Sequence, residues 1–130
     1  MTTEISLNNF ESVIAQPGIV IVDAWASWCG PCRAFAPIFE AAAARHADVE
    51  WAKLDTEHEP QLAGGLGIRA IPTLLVFRDG VLLLRQAGML PAKALDALVE
   101  KTRAIDMAQV RRQLDEQAAQ ASQHKVAKSG

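Results

Sequence analysis

The chain has 130 residues, the length of a single domain with one hydrophobic core. Half of its residues are hydrophobic, which excludes a disordered chain. Its 13 basic and 15 acidic residues give a net charge of -2, so it offers no basic field for nucleic acid and no polybasic membrane signal. The segment Met1–Glu4 is neither basic nor apolar, and no apolar run approaches the ~18 residues of a membrane span. We therefore expect a cytoplasmic protein that binds neither nucleic acid nor a membrane.

Strands and helices are predicted to alternate in the first part of the chain. The run Ile19–Val22 is apolar and largely β-branched, which is typical of a strand buried on both faces. Asn8 stands three residues before Glu11, the spacing of a capping box, and predicts a helix start. The predicted elements are a short strand around Glu4–Ser6, a helix from Asn8 to Pro17–Gly18, the strand Ile19–Trp25, a helix from about Cys29 to Arg45 that Pro37 should bend, and the strand Val49–Asp55.

A strand hairpin and a long helix are predicted for the rest. The elements are a short helix Pro60–Gly65, a buried strand Thr73–Phe77, a turn at Asp79–Gly80, an antiparallel strand Val81–Arg85 and a helix from Pro91 past Thr102 to near Ala121. This order predicts an α/β fold with helices packed on a mixed central sheet.

Both cysteines, Cys29 and Cys32, fall where the buried strand gives way to a helix. Side chains three residues apart in a helical turn share one face, close enough for a disulfide. The unpaired N–H groups and positive dipole end of a helix N-terminus favour the thiolate of Cys29, so this residue should attack substrate. Cys32, one turn further in, should resolve the mixed disulfide. The alternative is half of a zinc site, but structural zinc needs four ligands and the histidines show no paired ligand spacing.

Three separated motifs resemble the thioredoxin family. They are Trp28-Cys29-Gly30-Pro31-Cys32, Val22-Asp23-Ala24-Trp25 and Ile71-Pro72-Thr73, and the resemblance runs without evident gaps from about Ile5 to Thr102. It implies a thioredoxin fold, a three-layer α/β/α sandwich, and a protein-disulfide reductase that works by dithiol-disulfide exchange. It also implies disulfide-containing protein substrates, an NADPH-dependent thioredoxin reductase as recycling partner, and no bound cofactor besides the redox-active disulfide. We expect a monomer.

Asp23 is predicted to be an unusual carboxylate. It lies within the apolar strand, where burial should raise its pKa, unless the position is an edge open to water. The resemblance implies that Asp23 is buried behind the inner cysteine and takes part in its proton transfers. Lys53 matches the family's lysine near that aspartate; an ordinary strand lysine is the alternative.

The residues around the cysteines are predicted to bind substrate. Trp28 should line the contact surface, whereas Trp25 is interpreted as core. Gly30 removes bulk beside the reacting sulfur, and Pro31 fits an early helical position because its missing N–H would be unpaired there anyway.

The resemblance adds a second segment to this surface. It implies that the Ile71–Pro72 bond is cis and lies against the disulfide, and that Gly67 and Gly88 keep the surface flat, with simple turn glycines as the alternative. The predicted substrate-binding residues are therefore Trp28, Gly30, Pro31, Ile71, Pro72 and Gly88.

The chain is predicted to divide into a thioredoxin domain, 1-102, and a C-terminal helical extension with a flexible tail, 103-130. The extension is rich in Gln and Ala, and its few large aliphatic residues form a narrow stripe. We expect truncation after Thr102 to barely change stability. A solvated helix and a docking helix for a partner or a second copy both remain open.

Two other functions share this sequence pattern. The resemblance also covers proteins that use this fold as a binding subunit or holdase independently of the thiols, and a Cys29→Ser variant would separate that role from a redox role. Net oxidation or isomerisation of disulfides is the other, although Gly-Pro between the cysteines resembles the reducing members.

Overall fold

The computed structural model describes residues 1–129, with side chains as far as Ser122. The side chain of His124 and the tail residue Gly130 therefore lie outside the described part. The elements in chain order are β1 Thr3–Glu4, α1 Phe10–Ile14, β2 Ile19–Trp25, α2 Gly30–Arg45, β3 Glu50–Asp55, α3 Pro60–Gly65, β4 Thr73–Arg78, β5 Val81–Ala87, α4 Ala92–Arg103 and α5 Met107–Ser129.

The five strands form one mixed sheet in the order β1-β3-β2-β4-β5. β1 and β2 both pair parallel with β3, whereas β4 pairs antiparallel with β2 and with β5. β2 is buried along its length except at its last residue, as the apolar run predicted.

Helices cover both faces of the sheet, which confirms the predicted three-layer α/β/α sandwich. Because successive strand residues point to opposite faces, Ile19 and Ile21 join one core cluster and Val20 and Val22 the other. The first cluster also contains Phe35 and Phe39 of α2 and Leu95 and Val99 of α4. The second contains Val13 of α1 and Leu62 of α3.

The predicted hairpin turn joins β4 to β5. Asp79 and Gly80 have φ of 52° and 82°, a left-handed pair that suits a tight hairpin and that glycine adopts without strain. Asp79 Oδ1 accepts a hydrogen bond of 2.7 Å from the backbone N–H of Gly18, which ties the turn to the start of β2.

The start of α1 differs from the prediction. The helix begins at Phe10, so Asn9 rather than Asn8 occupies the N-cap position, and it makes no side-chain cap bond. Asn9 Oδ1 instead accepts from the Ser6 N–H at 2.7 Å, and its Nδ2 donates to the Glu4 carbonyl at 2.8 Å. The asparagine therefore organises the preceding loop, and β1 is confined to Thr3–Glu4.

The predicted continuous C-terminal helix is wrong. α4 ends at Arg103, and α5 begins at Met107 after a break at residues 104–106. The Gln109 N–H donates to Asp106 Oδ1 at 3.2 Å, so Asp106 caps the new helix. In the described backbone α5 extends to Ser129, beyond the end expected near Ala121. No helix of residues 1–129 has the length and hydrophobicity needed to cross a membrane.

One arginine holds the corner between α4 and α5. Nη1 of Arg78, at the end of β4, donates to the carbonyls of Thr102, Arg103 and Ile105 at 2.8, 3.1 and 2.7 Å. The guanidinium thus supplies a donor where the last turn of a helix leaves its C=O groups without helical partners. Met107, the first residue of α5, is only 7% exposed. The start of the extension therefore packs on the domain.

Candidate active site

The two cysteines lie at the N-terminus of α2. Cys29 is the N-cap residue with extended backbone, Pro31 occupies one of the first two helical positions, and Cys32 completes the first turn. The cysteines form a disulfide with a Cα–Cα distance of 5.2 Å. The spacing thus places the two sulfurs together, as predicted from a shared helix face.

A backbone N–H is directed at the sulfur of Cys29. The Cys32 N–H donates to Cys29 Sγ at 3.2 Å, as a capping side chain would accept it. In the reduced protein the same N–H and the positive end of the α2 dipole would stabilise a thiolate on Cys29. Both side chains are nearly enclosed, at 4% exposed for Cys29 and 2% for Cys32.

The segment Ile71–Pro72 lies against this disulfide, and the bond between the two residues is cis. The Ile71 carbonyl oxygen is 3.8 Å from Cys29 Sγ, and the Ile71 side chain packs on the two cysteines. The Gly88 N–H donates to the Pro72 carbonyl at 2.8 Å. The end of β5 is thereby held beside the same surface.

Asp23 lies in the middle of β2 and is completely buried. Neither of its carboxylate oxygens has a hydrogen-bond partner among the described residues. Burial raises the pKa of Asp23 to about 6, although the charge of Lys53 partly opposes the shift. Lys53 Nζ is 3.7 Å from Asp23 Oδ2 and 5.1 Å from the centre of the Trp25 ring.

The two tryptophans have different exposures. The side chain of Trp28 is 66% exposed beside the disulfide, whereas Trp25 is partly buried and packs on the cluster of Ala26 and the two cysteines. Gly30 and Pro31 are both exposed in the first turn of α2. The predicted substrate-binding residues therefore surround one sulfur-containing surface.

The fold and this disulfide can be compared with known proteins. Residues 1–104 match the model of the family described as Thioredoxin. A Streptomyces coelicolor protein named "Putative thioredoxin 2" is 42% identical over 120 residues, which cover 92% of this chain and 90% of that protein. A thioredoxin of Chlamydia muridarum is 40% identical over 101 residues, which cover 78% of this chain and 98% of that protein.

The chain belongs to the thioredoxin family. Among solved structures, a mutant thioredoxin from Halobacterium salinarum superposes with a TM-score of 0.74 at 29% identity, covering 81% of this chain and 93% of that one. The thioredoxin of Malassezia sympodialis gives a TM-score of 0.72 at 31% identity, covering 80% of this chain and 92% of that one. This member of the thioredoxin family is thus a protein-disulfide oxidoreductase with a redox-active cysteine pair.

Two of the histidines, His46 and His58, lie beside carboxylates. His46 Nε2 lies 2.7 Å from Asp96 Oδ1, and His58 Nδ1 lies 2.6 Å from Asp55 Oδ2. Among the side chains up to Ser122, no group of three or more His, Cys, Asp or Glu residues is arranged to hold a metal ion.

Sequence reasoning missed one part of the surface beside the disulfide. A groove of about 210 Å³ lies beside Trp28 and Ile71, and Ile68 and Arg69 also line it. The signal that could have revealed these two residues is their position immediately before the Ala70-Ile71-Pro72 segment, which must lead the chain past the disulfide.

Proposed function

We propose that the protein reduces disulfide bonds of other proteins, with Cys29 as nucleophile and Cys32 as resolving thiol. The observation that carries this proposal is the Cys32 N–H directed at Cys29 Sγ at the N-terminus of α2. A thiolate is the reactive form of cysteine, and this position favours it.

The reaction exchanges one disulfide for another. The Cys29 thiolate attacks one sulfur of the substrate disulfide, that S–S bond breaks, and the departing sulfur leaves as a thiolate and takes up a proton. Cys32 then loses its proton and attacks the Cys29 sulfur of the mixed disulfide. The second substrate sulfur leaves, so the substrate gains two electrons and two protons while Cys29 and Cys32 become joined.

Asp23 is proposed to accept the proton of Cys32. With a pKa of about 6, the Asp23 carboxylate is mostly ionised at neutral pH. This pKa is close enough to the working pH for the group to take up and release a proton readily. Lys53 is proposed to modulate this exchange, since its ammonium group is the cation placed beside the buried carboxylate.

Substrate is proposed to bind across the disulfide. The backbone at Ile71, before Pro72, would pair with an extended substrate segment, and the exposed Trp28 would pack on its side chains. The small residue Gly30, the ring of Pro31 and the bare backbone of Gly88 leave room for that segment to approach the sulfur of Cys29.

Recycling is proposed to depend on an NADPH-dependent thioredoxin reductase, with the protein acting as a cytoplasmic monomer. The Gly-Pro dipeptide between the cysteines resembles the reducing members of the family, which supports this direction of electron flow. All the proposed catalytic and substrate-binding residues lie within the predicted domain 1-102, and the start of the predicted extension 103-130 packs on that domain.

The test is reduction of insulin disulfides by the full chain in the presence of NADPH and a thioredoxin reductase. We expect NADPH consumption that stops in Cys29→Ser. In Cys32→Ser a mixed disulfide with substrate should accumulate, because the resolving thiol is missing. Activity that survives loss of Cys29 would contradict the proposal and would favour the thiol-independent binding role.

A further inference from the structure

The groove beside the disulfide has one charged side chain. Seven residues line it, and of these Arg69 alone carries a charge; the others are Trp28, two isoleucines, two alanines and a threonine. A volume of about 210 Å³ is enough for one or two apolar side chains of a bound peptide. The groove therefore offers an apolar floor with a cation at its rim.

Two residues of this groove lie next to the reacting sulfur. Trp28 directly precedes Cys29, and Ile71, which also lines the groove, has its carbonyl oxygen 3.8 Å from Cys29 Sγ. A peptide whose cysteine reaches Cys29 therefore brings its neighbouring residues close to this groove. The side chain that enters it belongs to a residue close in sequence to the substrate cysteine.

Arg69 has no acidic partner among the described side chains, whereas three other arginines each have one. Arg45 and Arg103 lie 2.8 and 2.7 Å from carboxylates of Asp96 and Asp48, and Arg111 lies 3.8 Å from Asp79. Arg69 is exposed and makes no such contact within residues 1–122. Its charge can therefore meet a carboxylate on a partner.

Other charged residues lie near the groove. Arg33 is also exposed and without an acidic partner among the described side chains, and its Nη1 donates to the Ser27 carbonyl at 3.0 Å, just before Trp28. The nearby carboxylates of Asp55 and Glu59 line a separate cavity next to Lys53. The exposed Glu57 follows the groove-lining Thr56 in sequence, so the substrate preference argued below rests on Arg69 at the groove and not on the overall charge of the chain, which is -2.

We propose that Arg69 selects substrates in which an apolar residue and an acidic residue stand together beside the reactive cysteine. The apolar side chain enters the groove against Trp28, and the carboxylate pairs with the guanidinium at its rim. This inference rests on the proposed function, since it names the substrate class of the same disulfide site.

The test uses the full reduced chain and two disulfide-cyclised peptides that differ at one position, Leu-Glu or Leu-Lys next to a cysteine. The measurement is the ratio of the two second-order rate constants for peptide reduction, followed by chromatography of acid-quenched samples. Exposed ion pairs are weak, so we expect the Glu peptide to react about two- to fivefold faster at low ionic strength, with the preference fading at high salt. A ratio cancels any general effect of a substitution on thiol reactivity.

Two variants and a control assign the preference to Arg69. Arg69→Gln should bring the ratio towards one, and Arg69→Glu should reverse it. Arg112→Glu removes another exposed arginine, on α5, and should leave the ratio as in the parent. Equal rates for the two peptides in the parent, or a preference that Arg69→Glu does not change, would overturn the inference. Insulin reduction by the parent would still stand in that case, so failure of the substrate class is distinguishable from failure of the proposed function.

Discussion

Lys53 Nζ lies 3.7 Å from Oδ2 of Asp23, and the two residues are register partners on the neighbouring parallel strands β3 and β2. No hydrogen bond to either carboxylate oxygen accompanies this pair within the described residues. A buried charge with so little compensation is costly, because the ionised form loses its hydration. The aspartate is therefore maintained at the expense of stability.

Replacing Asp23 by alanine should stabilise the fold at neutral and higher pH. The pKa of Asp23 is about 6 in the folded protein against 3.8 ordinarily, so the native state binds the proton more tightly than the unfolded state. The free energy of unfolding of the parent should fall between about pH 4 and pH 6 from this group and stay lowered above pH 6. The shift corresponds to about 3 kcal/mol, which Asp23→Ala should recover at about pH 8 but not at about pH 3.

Urea unfolding at several pH values measures this difference. Asp115→Ala removes an exposed carboxylate on α5 and serves as the matched control, with little expected change. Equal stabilities of Asp23→Ala and the parent at the alkaline end of the series would show that burial does not destabilise this group.

Cys29 should be alkylated before Cys32 in the reduced protein. The static exposures differ little, at 4% and 2%, so the order should follow thiolate character, which the Cys32 N–H and the helix N-terminus supply to Cys29. Limiting iodoacetamide followed by peptide mass spectrometry measures the order. Faster labelling of Cys32 would reverse the proposed roles of the two thiols.

Gly88→Ala should affect both stability and substrate binding. The backbone of Gly88 has φ of 90°, which costs an L-residue about 1–2 kcal/mol, although the new methyl group would meet no atom within 4 Å. The Gly88 N–H donates to the Pro72 carbonyl, so the backbone strain falls on the proposed contact surface and we expect a several-fold fall in kcat/KM for insulin. Gly64→Ala in α3 is the control, because Gly64 has ordinary helical geometry and equally open surroundings. Similar activity of the two variants would separate Gly88 from substrate binding.

Two truncations locate the true end of the folded domain. Ending the chain at Val110 should change the free energy of unfolding by less than ~0.5 kcal/mol, because the side chains of residues 111–122 are all exposed. Ending it at Thr102 removes the buried Met107 and the Ile105 carbonyl that Arg78 binds, and should cost about 2 kcal/mol or more. Thermal melts compare the two. Equal melting temperatures would restore the expectation from sequence that the domain is complete at Thr102.

The parts of the fold that could be predicted from sequence are those governed by local pattern. The run Ile19–Val22 is apolar at every position because β2 is covered on both faces. The Asp79–Gly80 pair, with positive φ at both residues, suits a tight turn. The break between α4 and α5 was missed because helix propensity continues across it. Asp106, three residues before Gln109, stands at capping-box spacing and could have marked the new start.

The parts of the site that could be predicted from sequence are those that belong to recognisable motifs. The cysteine spacing predicted the disulfide, and the position of Asp23 in an apolar run predicted a raised pKa. Ile68 and Arg69 could have been suspected from their position before Ile71, but the groove could not be predicted, because it forms only where the loop before β4 meets Trp28 in the loop between β2 and α2. Such a concavity depends on tertiary packing and leaves no periodic signal in sequence.

The contacts of Arg78 with three carbonyls determine which parts of the fold should unfold together in local fluctuations. Ile19, the first residue of β2, is the register partner of Arg78, so the α4–α5 corner is fastened to the end of the sheet away from Cys29. Local opening of the last turn of α4 would break all three bonds at once, and amides there should exchange with deuterium as one cooperative unit with the strand end. The redox surface and this corner lie at opposite ends of the sheet, so substrate turnover at Cys29 should leave that exchange unaltered.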